Sequence, residues 1–302
     1  MEAQRWAAAQ AASRRAVRLN GAPLYILPAL AIFLTFVYYP SLFVVYLSFT
    51  NADLIRLPRW IGTANYSALF ADGTFFRSLE VTATFGLSVT GLETLLGLAL
   101  GFLMHLRSRF SRLLQAVVFA PVVLPLTVTA IAWGYLVNPG SGAINRLLER
   151  AGVPTLGWLQ DPGLALPTLM LITVWKGVGL PAVLYLAGLK QIPGELLEAA
   201  QVDGATPSQT TRRVTIPLLG PTTVLVAFLS LVNTVQSYVL VLLMTQGGPL
   251  GRTHLIGYFI YQQAFQFFHM GYAAAASCVL FGLLLGLVWL QLRITERRVH
   301  YA

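Results

Sequence analysis

The chain has 302 residues, of which 56% are hydrophobic and 10% are charged. Soluble domains carry about 25% charged residues, so this composition excludes an ordinary soluble protein and indicates a chain that lies in a bilayer. Cys278 is the single cysteine, which excludes a disulfide within the chain.

Six apolar stretches are long enough to cross a membrane, because a helix rises about 1.5 Å per residue and needs roughly 20 residues for a 30 Å core. They are residues 22–48, 80–104, 113–137, 165–189, 217–244 and 271–292. Their apolar runs are continuous rather than alternating, which favours helices over the strands of a barrel. We therefore predict an all-α membrane protein, with a tail at 1–20 and a domain of six transmembrane helices at 21–302.

Lysine and arginine are unevenly divided between the two sets of predicted loops. If the N-terminus is cytoplasmic, that side holds thirteen of these residues and the outer side holds six. Because cytoplasmic loops are enriched in lysine and arginine, both termini and residues 190–217 are predicted to face the cytoplasm. The net charge of +9 then follows from topology, and nucleic acid is not an expected partner.

The most distinctive stretch is a polar segment between the fourth and fifth spans, residues 191–221. We predict a short helix over about 194–203, a break at Gly204, and a second helix that begins after Thr206 as its N-cap. Pro217 is expected to bend the chain into the fifth span. A helix–glycine–helix elbow is suited to docking into a partner, and an amphipathic loop on the membrane surface is the alternative.

The motifs of common enzymes are absent from the sequence. Lys176 and Lys190 are the two lysines, and neither lies in a G-x-x-x-x-G-K-[ST] phosphate loop. There is no H-E-x-x-H zinc motif and no G-x-S-x-G elbow, and the four histidines are scattered. We therefore predict no catalytic residue, no metal site and no cofactor bound by this chain.

Polar residues inside the predicted spans point to transport. Glu93 and Lys176 would each cost about 2.5–3.5 kcal/mol at the bilayer centre, so both must face protein or water. They could pair with each other and line a pathway, or Lys176 could cap carbonyl groups near Pro181. As a coupling pair they would suit an ion-coupled secondary transporter.

The fifth span carries hydroxyls and amides on one helical face. Such groups suit a solute rich in hydroxyls, and two nearby aromatic rings could stack on a sugar. Hydrogen bonding between helices, at about 0.6 kcal/mol per contact, is the alternative. The candidates for the substrate pathway are Glu93, Trp175, Lys176, Ser230, Asn233, Gln236, Ser237 and Tyr238.

The polar segment also resembles a known signature. Glu198-Ala199-Ala200, three residues, Gly204, nine residues and 214–217 (VTIP) are similar to the E-A-A-x3-G-x9-I-x-L-P of membrane subunits of binding-protein-dependent ABC importers. G-A-I-N-R-L-L, W-L-Q-D-P and T-Q-G-G-P in the predicted outer loops extend the resemblance to about 20–295. Together they resemble the carbohydrate-uptake branch, specifically its maltose- and glycerol-3-phosphate-type first permease.

The resemblance implies a type I ABC importer permease fold with its core at about 75–292. Residues 190–217 would then be a coupling loop that docks into a cleft of a cytosolic ATPase. Glu198 would hold this loop or contact the ATPase, Asp203 would tie down neighbouring backbone, and Gly204 would make the bend. The residues implied for the loop are Glu198, Ala199, Ala200, Asp203, Gly204 and Pro217.

The implied function is ATP-driven import of a sugar or sugar-like solute across a bacterial or archaeal cell membrane. The expected partners are a second homologous permease, two copies of an ATPase that hold ATP and Mg, an extracytoplasmic solute-binding protein and membrane lipid. The alternatives are an ion-coupled secondary transporter that uses Glu93 and Lys176, and a polytopic membrane enzyme.

Overall fold

The structure is a computed structural model that describes residues 22–53, 55, 57–106, 109–235 and 237–298. The predicted tail at 1–20 and the candidate residue Gln236 lie outside the described residues. Within the described ranges the regular structure is helical, apart from one antiparallel bridge between Thr50 and Trp60.

The helices of the first half of the chain are α1 (Ala22–Phe33), α2 (Tyr39–Ser48), α3 (Ala64–Ala71), α4 (Gly73–His105), α5 (Arg109–Val123), α6 (Leu126–Leu136) and α7 (Ala143–Arg150). Those of the second half are α8 (Ala165–Gly177), α9 (Gly179–Gln191), α10 (Gly194–Val202), α11 (Pro207–Thr210), α12 (Ile216–Leu218), α13 (Gly220–Val235), α14 (Tyr238–Met244), α15 (Ile256–Tyr261) and α16 (Met270–Arg298). Three π-helical segments join neighbouring helices, at Leu34–Tyr38, Thr211–Thr215 and Gln262–Gln266.

Among the described residues, three apolar helices can cross a membrane without a sharp bend. They are Ile26–Ser48, which joins α1 and α2 through a π-helical segment, the whole of α4, and Met270–Gln291 in α16. These helices confirm the first, second and sixth predicted spans. The second span begins earlier than expected because Asp72 forms an N-cap before Gly73.

The third and fourth predicted spans are bent pairs of helices. The axes of α5 and α6 meet at 102°, and those of α8 and α9 meet at 45°. Pro125 explains the sharper bend, since proline has no N–H to donate and disfavours helical geometry in the residue before it. The sequence predicts one span over 113–137, and the structure has a complete break within it.

The fifth span also departs from the predicted continuous helix over 217–244. The helical segment Pro207–Leu218 precedes α13 at an angle of 61°, and α13 ends at Val235. The chain then resumes as the short α14. The polar stripe predicted for one continuous helix is therefore divided by a break.

Close contact between α4 and α9 forms the centre of the fold. A Cβ added to Gly97 would lie 2.5 Å from Pro181 Cβ, and one added to Gly101 would lie 2.7 Å from Tyr185 Cβ. Because 97 faces 181 and 101 faces 185, the two helices run parallel. Their C-terminal ends therefore lie at the same side of the molecule, where α9 leads into α10.

The N-terminal end of α4 is anchored to α16. The Asp72 carboxylate accepts hydrogen bonds from the Thr74 backbone N–H and the Tyr272 hydroxyl, each at 2.8 Å. Burial raises the pKa of the Asp72 carboxyl, but these hydrogen bonds outweigh burial and hold its pKa below the usual range. The cap thus joins the second and sixth spans at one end.

Asn145 organises the long connection between α6 and α8. Its side-chain amide donates to the Leu156 carbonyl at 2.9 Å, and its side-chain oxygen accepts from Trp158 Nε1 at 2.9 Å. Asn145 is buried and comes from the G-A-I-N-R-L-L stretch, whereas Trp158 begins W-L-Q-D-P. The two motifs therefore form one folded unit.

Replacing Gly97 with valine is expected to lower the unfolding temperature of the purified protein. The added side chain would meet the Pro181 backbone carbon, which cannot turn aside as a flexible side chain can, and overpacking of this kind costs about 1–3 kcal/mol. Thermal unfolding in detergent measures the effect. Gly91→Val is the matched control, because nothing lies within 4 Å of a Cβ added at Gly91 on the same helix. Equal unfolding temperatures for the two variants would contradict the close α4–α9 contact.

Candidate functional site

A cavity of about 240 Å³ opens where the broken spans meet. Its wall includes residues of α4, α5, α6, α8, α9, α13 and α14. Leu126 lies beside the break of the third span and Gly177 beside that of the fourth, while Ser237 lies between α13 and α14 of the fifth. Discontinuous helices that meet in this way are typical of solute sites in membrane transporters.

Five of the eight residues predicted for the substrate pathway line this cavity. Trp175 and Tyr238 do not line it, and Gln236 lies outside the described residues. The five that the fold brings together are Glu93, Lys176, Ser230, Asn233 and Ser237.

Glu93 is buried at a junction of three spans, with 5% of its surface exposed. Ser230 of α13 lies beside its carboxylate, and both residues line the cavity. Glu93 also packs directly against Gly177 of α8, where any Cβ would overlap the carboxylate oxygen. Gly177 was not among the predicted site residues, although its place after Lys176 in the W-K-G-V-G stretch signalled close packing.

Lys176 donates its hydrogen bonds to the end of α5. Its Nζ lies 2.9 Å from the Leu124 carbonyl oxygen, 3.3 Å from that of Pro121 and 3.4 Å from that of Val122. The carbonyls of Val122 and Leu124 lie where the helical ladder of α5 stops, whereas the Pro121 carbonyl also accepts the Leu124 N–H at 3.2 Å. In this part of the structure, no ion pair joins Lys176 to Glu93.

The predicted Glu93–Lys176 pair is therefore wrong for this structure, although both residues line one cavity. Lys176 donates to backbone carbonyls at the end of α5, whereas the Glu93 carboxylate packs against Gly177. The alternative interpretation is right that Lys176 caps backbone carbonyl groups. However, the carbonyls belong to the end of α5, not to the segment near Pro181.

The polar face of α13 offers one amide to the cavity without an internal partner. Thr234 and Ser237 donate their hydroxyls back to the carbonyls of Ser230 and Asn233, at 2.6 and 3.1 Å. The Asn233 side chain is exposed and makes no hydrogen bond with any residue that the structure describes. It can therefore donate to and accept from a solute.

The two candidate aromatic rings pack elsewhere. Trp175 meets Trp133 edge to face, with ring centroids 5.4 Å apart. Tyr238 stacks on Tyr261 at 5.7 Å and lines a separate cavity of about 370 Å³ between α13, α15 and α16. Stacking of a sugar on either ring stays a prediction.

The polar segment forms the predicted elbow. Gly204 follows α10 with a φ of +78°, the left-handed region that favours glycine. Its N–H donates to the Gln201 carbonyl at 3.0 Å, and the Ala205 N–H donates to the Ala200 carbonyl at 2.9 Å. This pair of bonds is the Schellman motif that ends a helix. Thr206 then forms a capping box with Gln209 and starts α11.

Pro217 does not make the bend that the sequence suggested. Helical structure continues through Pro217 to Leu218, and the direction changes at Leu219. Pro217 lies in the first turn of α12, directly after the π-helical segment Thr211–Thr215, where a missing N–H is tolerated.

The outer surface of the elbow is open to a partner. Glu198 and Asp203 are exposed, and neither carboxylate makes a hydrogen bond within the described part of the chain. The predicted role of the Asp203 side chain in tying down backbone is therefore wrong, since only its N–H is bonded, to the Ala199 carbonyl at 3.0 Å. Val202 is also exposed, with 88% of its surface accessible, so its side chain is available for contact.

Comparison with known proteins gives consistent matches. Residues 93–300 match the family described as binding-protein-dependent transport system inner membrane component. The chain is 31% identical over 278 residues to a probable ABC transporter permease of Pyrococcus horikoshii, covering 91% of this chain and 94% of that protein. It is 32% identical over 295 residues to UgpA, the sn-glycerol-3-phosphate transport system permease of Pectobacterium atrosepticum, covering 96% and 99%.

A solved structure shares both the fold and part of the sequence. It is the crystal structure of a bacterial ABC transporter involved in the import of the acidic polysaccharide alginate. The TM-score is 0.79, with 25% identity over 92% of this chain and 96% of that one. The named relatives are permease subunits, which move solutes and are not enzymes. The chain belongs to the inner membrane components of binding-protein-dependent transport systems, the permease subunits of ABC importers.

Proposed function

We propose that this permease carries a sugar or sugar-like solute and forms half of the translocation pathway. The observation that carries the proposal is the cavity where the broken spans meet, which holds Asn233 beside Ser230 and Ser237, and the Asn233 amide makes no hydrogen bond to a described residue. Hydroxyl and amide groups suit a solute rich in hydroxyls. Relatives named for sn-glycerol-3-phosphate and alginate support the same class.

The driving force comes from a separate ATPase that docks on residues 190–217. ATP and Mg are held by that partner, because this sequence has no phosphate loop of its own. Exposed Glu198, Ala199 and Val202 support the docking role, as does the rigid elbow at Gly204. The full assembly has a second homologous permease, two ATPase copies and an extracytoplasmic binding protein, with both termini of this chain in the cytoplasm.

An ion-coupled secondary transporter is the weaker candidate. Its coupling would rest on Glu93 and Lys176, which form no ion pair among the described residues, since Lys176 donates to backbone carbonyls. A secondary transporter would also have no use for the elbow, whose apolar side chains are exposed on a polar loop.

Replacing Gly204 with valine is expected to uncouple transport while the protein still inserts into the membrane. A β-branched residue at φ +78° is strained by roughly 1–2 kcal/mol, so the elbow would open and lose its docking shape. Solute uptake and ATP hydrolysis by the reconstituted complex measure the effect. Gly204→Asn should keep most activity, because asparagine tolerates this conformation.

Gly152→Val is the matched control for this test. Gly152 has a φ of +75° and open space around it, and it follows α7, away from the elbow. The same local strain should therefore leave coupling intact. Full transport by Gly204→Val, or equal losses in Gly204→Val and Gly152→Val, would contradict the coupling role.

Asn233→Ala and Ser237→Ala are expected to alter transport more than assembly. Loss of one hydrogen bond to the solute should lower uptake by about fivefold and change the preference among solutes. Uptake assays with a panel of sugars, polyols and sugar phosphates measure this, alongside the amount of complex in the membrane. Val232→Ala is the control, because Val232 adjoins Asn233 on α13 but does not line the cavity. Unchanged uptake of every solute would show that the stripe only packs helices.

A further inference from the structure

The N–H donors of the Lys176 side chain all bind backbone carbonyl groups of the third span. A lysine ammonium has three N–H groups, and Nζ here has three acceptors, the carbonyl oxygens of Pro121, Val122 and Leu124. Each acceptor comes from the last turn of α5 or the residue that follows it. The side chain therefore caps a helix end inside the membrane.

The capped end is the joint between two groups of helices. Below the joint, α5 packs against α4, α8 and α9. Beyond it, α6 turns by 102° and packs against α14. Pro125, with a φ of −58° and a ψ of 139°, is extended at the joint. Rotation at this point would move α6 and α14 relative to the rest of the cavity wall.

The backbone that carries Lys176 is held from two sides. Gly177 lies against the Glu93 carboxylate, and a Cβ at Gly179 would lie 2.6 Å from the Val118 carbonyl oxygen of α5. Lys176 itself lines the cavity together with Val122 and Leu126. Its Nζ is thus placed between a fixed segment of the fourth span, the joint of the third span and the space for a solute.

We propose that Lys176 is a positioning residue that latches the broken third span while the cavity is empty. An acceptor oxygen of the solute can bind Nζ only by replacing a carbonyl of the joint, because no donor is spare. Arrival of the solute therefore loosens the joint, and α6 and α14 can move. The inference rests on the proposed transport function and adds a link between occupancy of the cavity and movement of its wall.

The test uses the complete complex reconstituted in nanodiscs, with the solute-binding protein whose addition stimulates ATP hydrolysis by wild type. Lys176→Met removes the donors but keeps an unbranched side chain. It should hydrolyse ATP without solute, and stimulation by solute should fall by about tenfold, as expected from loss of a charge-assisted hydrogen bond. Lys176→Arg keeps donors and should restore much of the dependence on solute.

A distance measurement separates a latch from a structural role. Spin labels at Tyr135 on α6 and Ala187 on α9, both exposed, are introduced in a Cys278→Ser background. In wild type the distance distribution should widen when solute-loaded binding protein is added. In Lys176→Met the distance distribution should already be wide before the solute-loaded binding protein is added.

Arg112→Met is the control for loss of a basic residue, since Arg112 is exposed on α5 and does not line the cavity. If Lys176→Met assembles poorly, Lys176→Gln, with a shorter side chain and fewer donors, takes its place.

Wild-type distances and wild-type solute dependence in the substituted complex would overturn the latch, while ATP-driven uptake by wild type would leave the transport function standing. Absence of ATP-driven uptake by wild type would instead overturn the proposed function and the latch with it.

Discussion

A backbone carbonyl freed inside a lipid bilayer finds no water, so a membrane helix can break only where protein supplies a donor or a cavity supplies solvent. In the third span that donor is the Nζ of Lys176, which lies 2.9 Å from the Leu124 carbonyl oxygen. The break allows the chain to turn aside and leaves room between α4, α8 and α13. Glu93 and Asn233 reach this space, so the polar site depends on the compensation of one helix end.

The same helices connect the site to the elbow. α9 starts after the bend at Val178, lines the cavity with its first turns, and ends where the elbow begins. Its 13 residues extend about 20 Å, and contact with Gly97 and Gly101 of α4 keeps it against the centre of the fold. A push on the rigid elbow at Gly204 can therefore reach the cavity wall through one short helix. This arrangement fits a permease that is driven from outside its own chain.

Much of this architecture follows from local sequence, and the rest depends on long-range contacts. The spans are visible as apolar runs, and the elbow follows from Gly204 because the conformation that ends α10 there strongly favours glycine. The third span was predicted as one apolar run, but its bend of 102° at Pro125 depends on how α6 packs against α14. Equal depth suggested that Glu93 and Lys176 could pair, yet depth does not fix the direction in which a side chain leaves its helix. The bend predicted at Pro217 was misplaced, because a π-helical segment lets the helix continue through this proline.

Whether ATP hydrolysis on a partner drives solute through this chain is tested most directly by uptake of a labelled sugar into proteoliposomes. The liposomes contain the complete complex and are supplied with the loaded binding protein on one side. Uptake should occur when ATP is present on the side of the elbow and no ion gradient exists. It should stop when ATP is removed and a proton gradient is imposed. Uptake that continues with the proton gradient alone would contradict the assignment and favour an ion-coupled transporter.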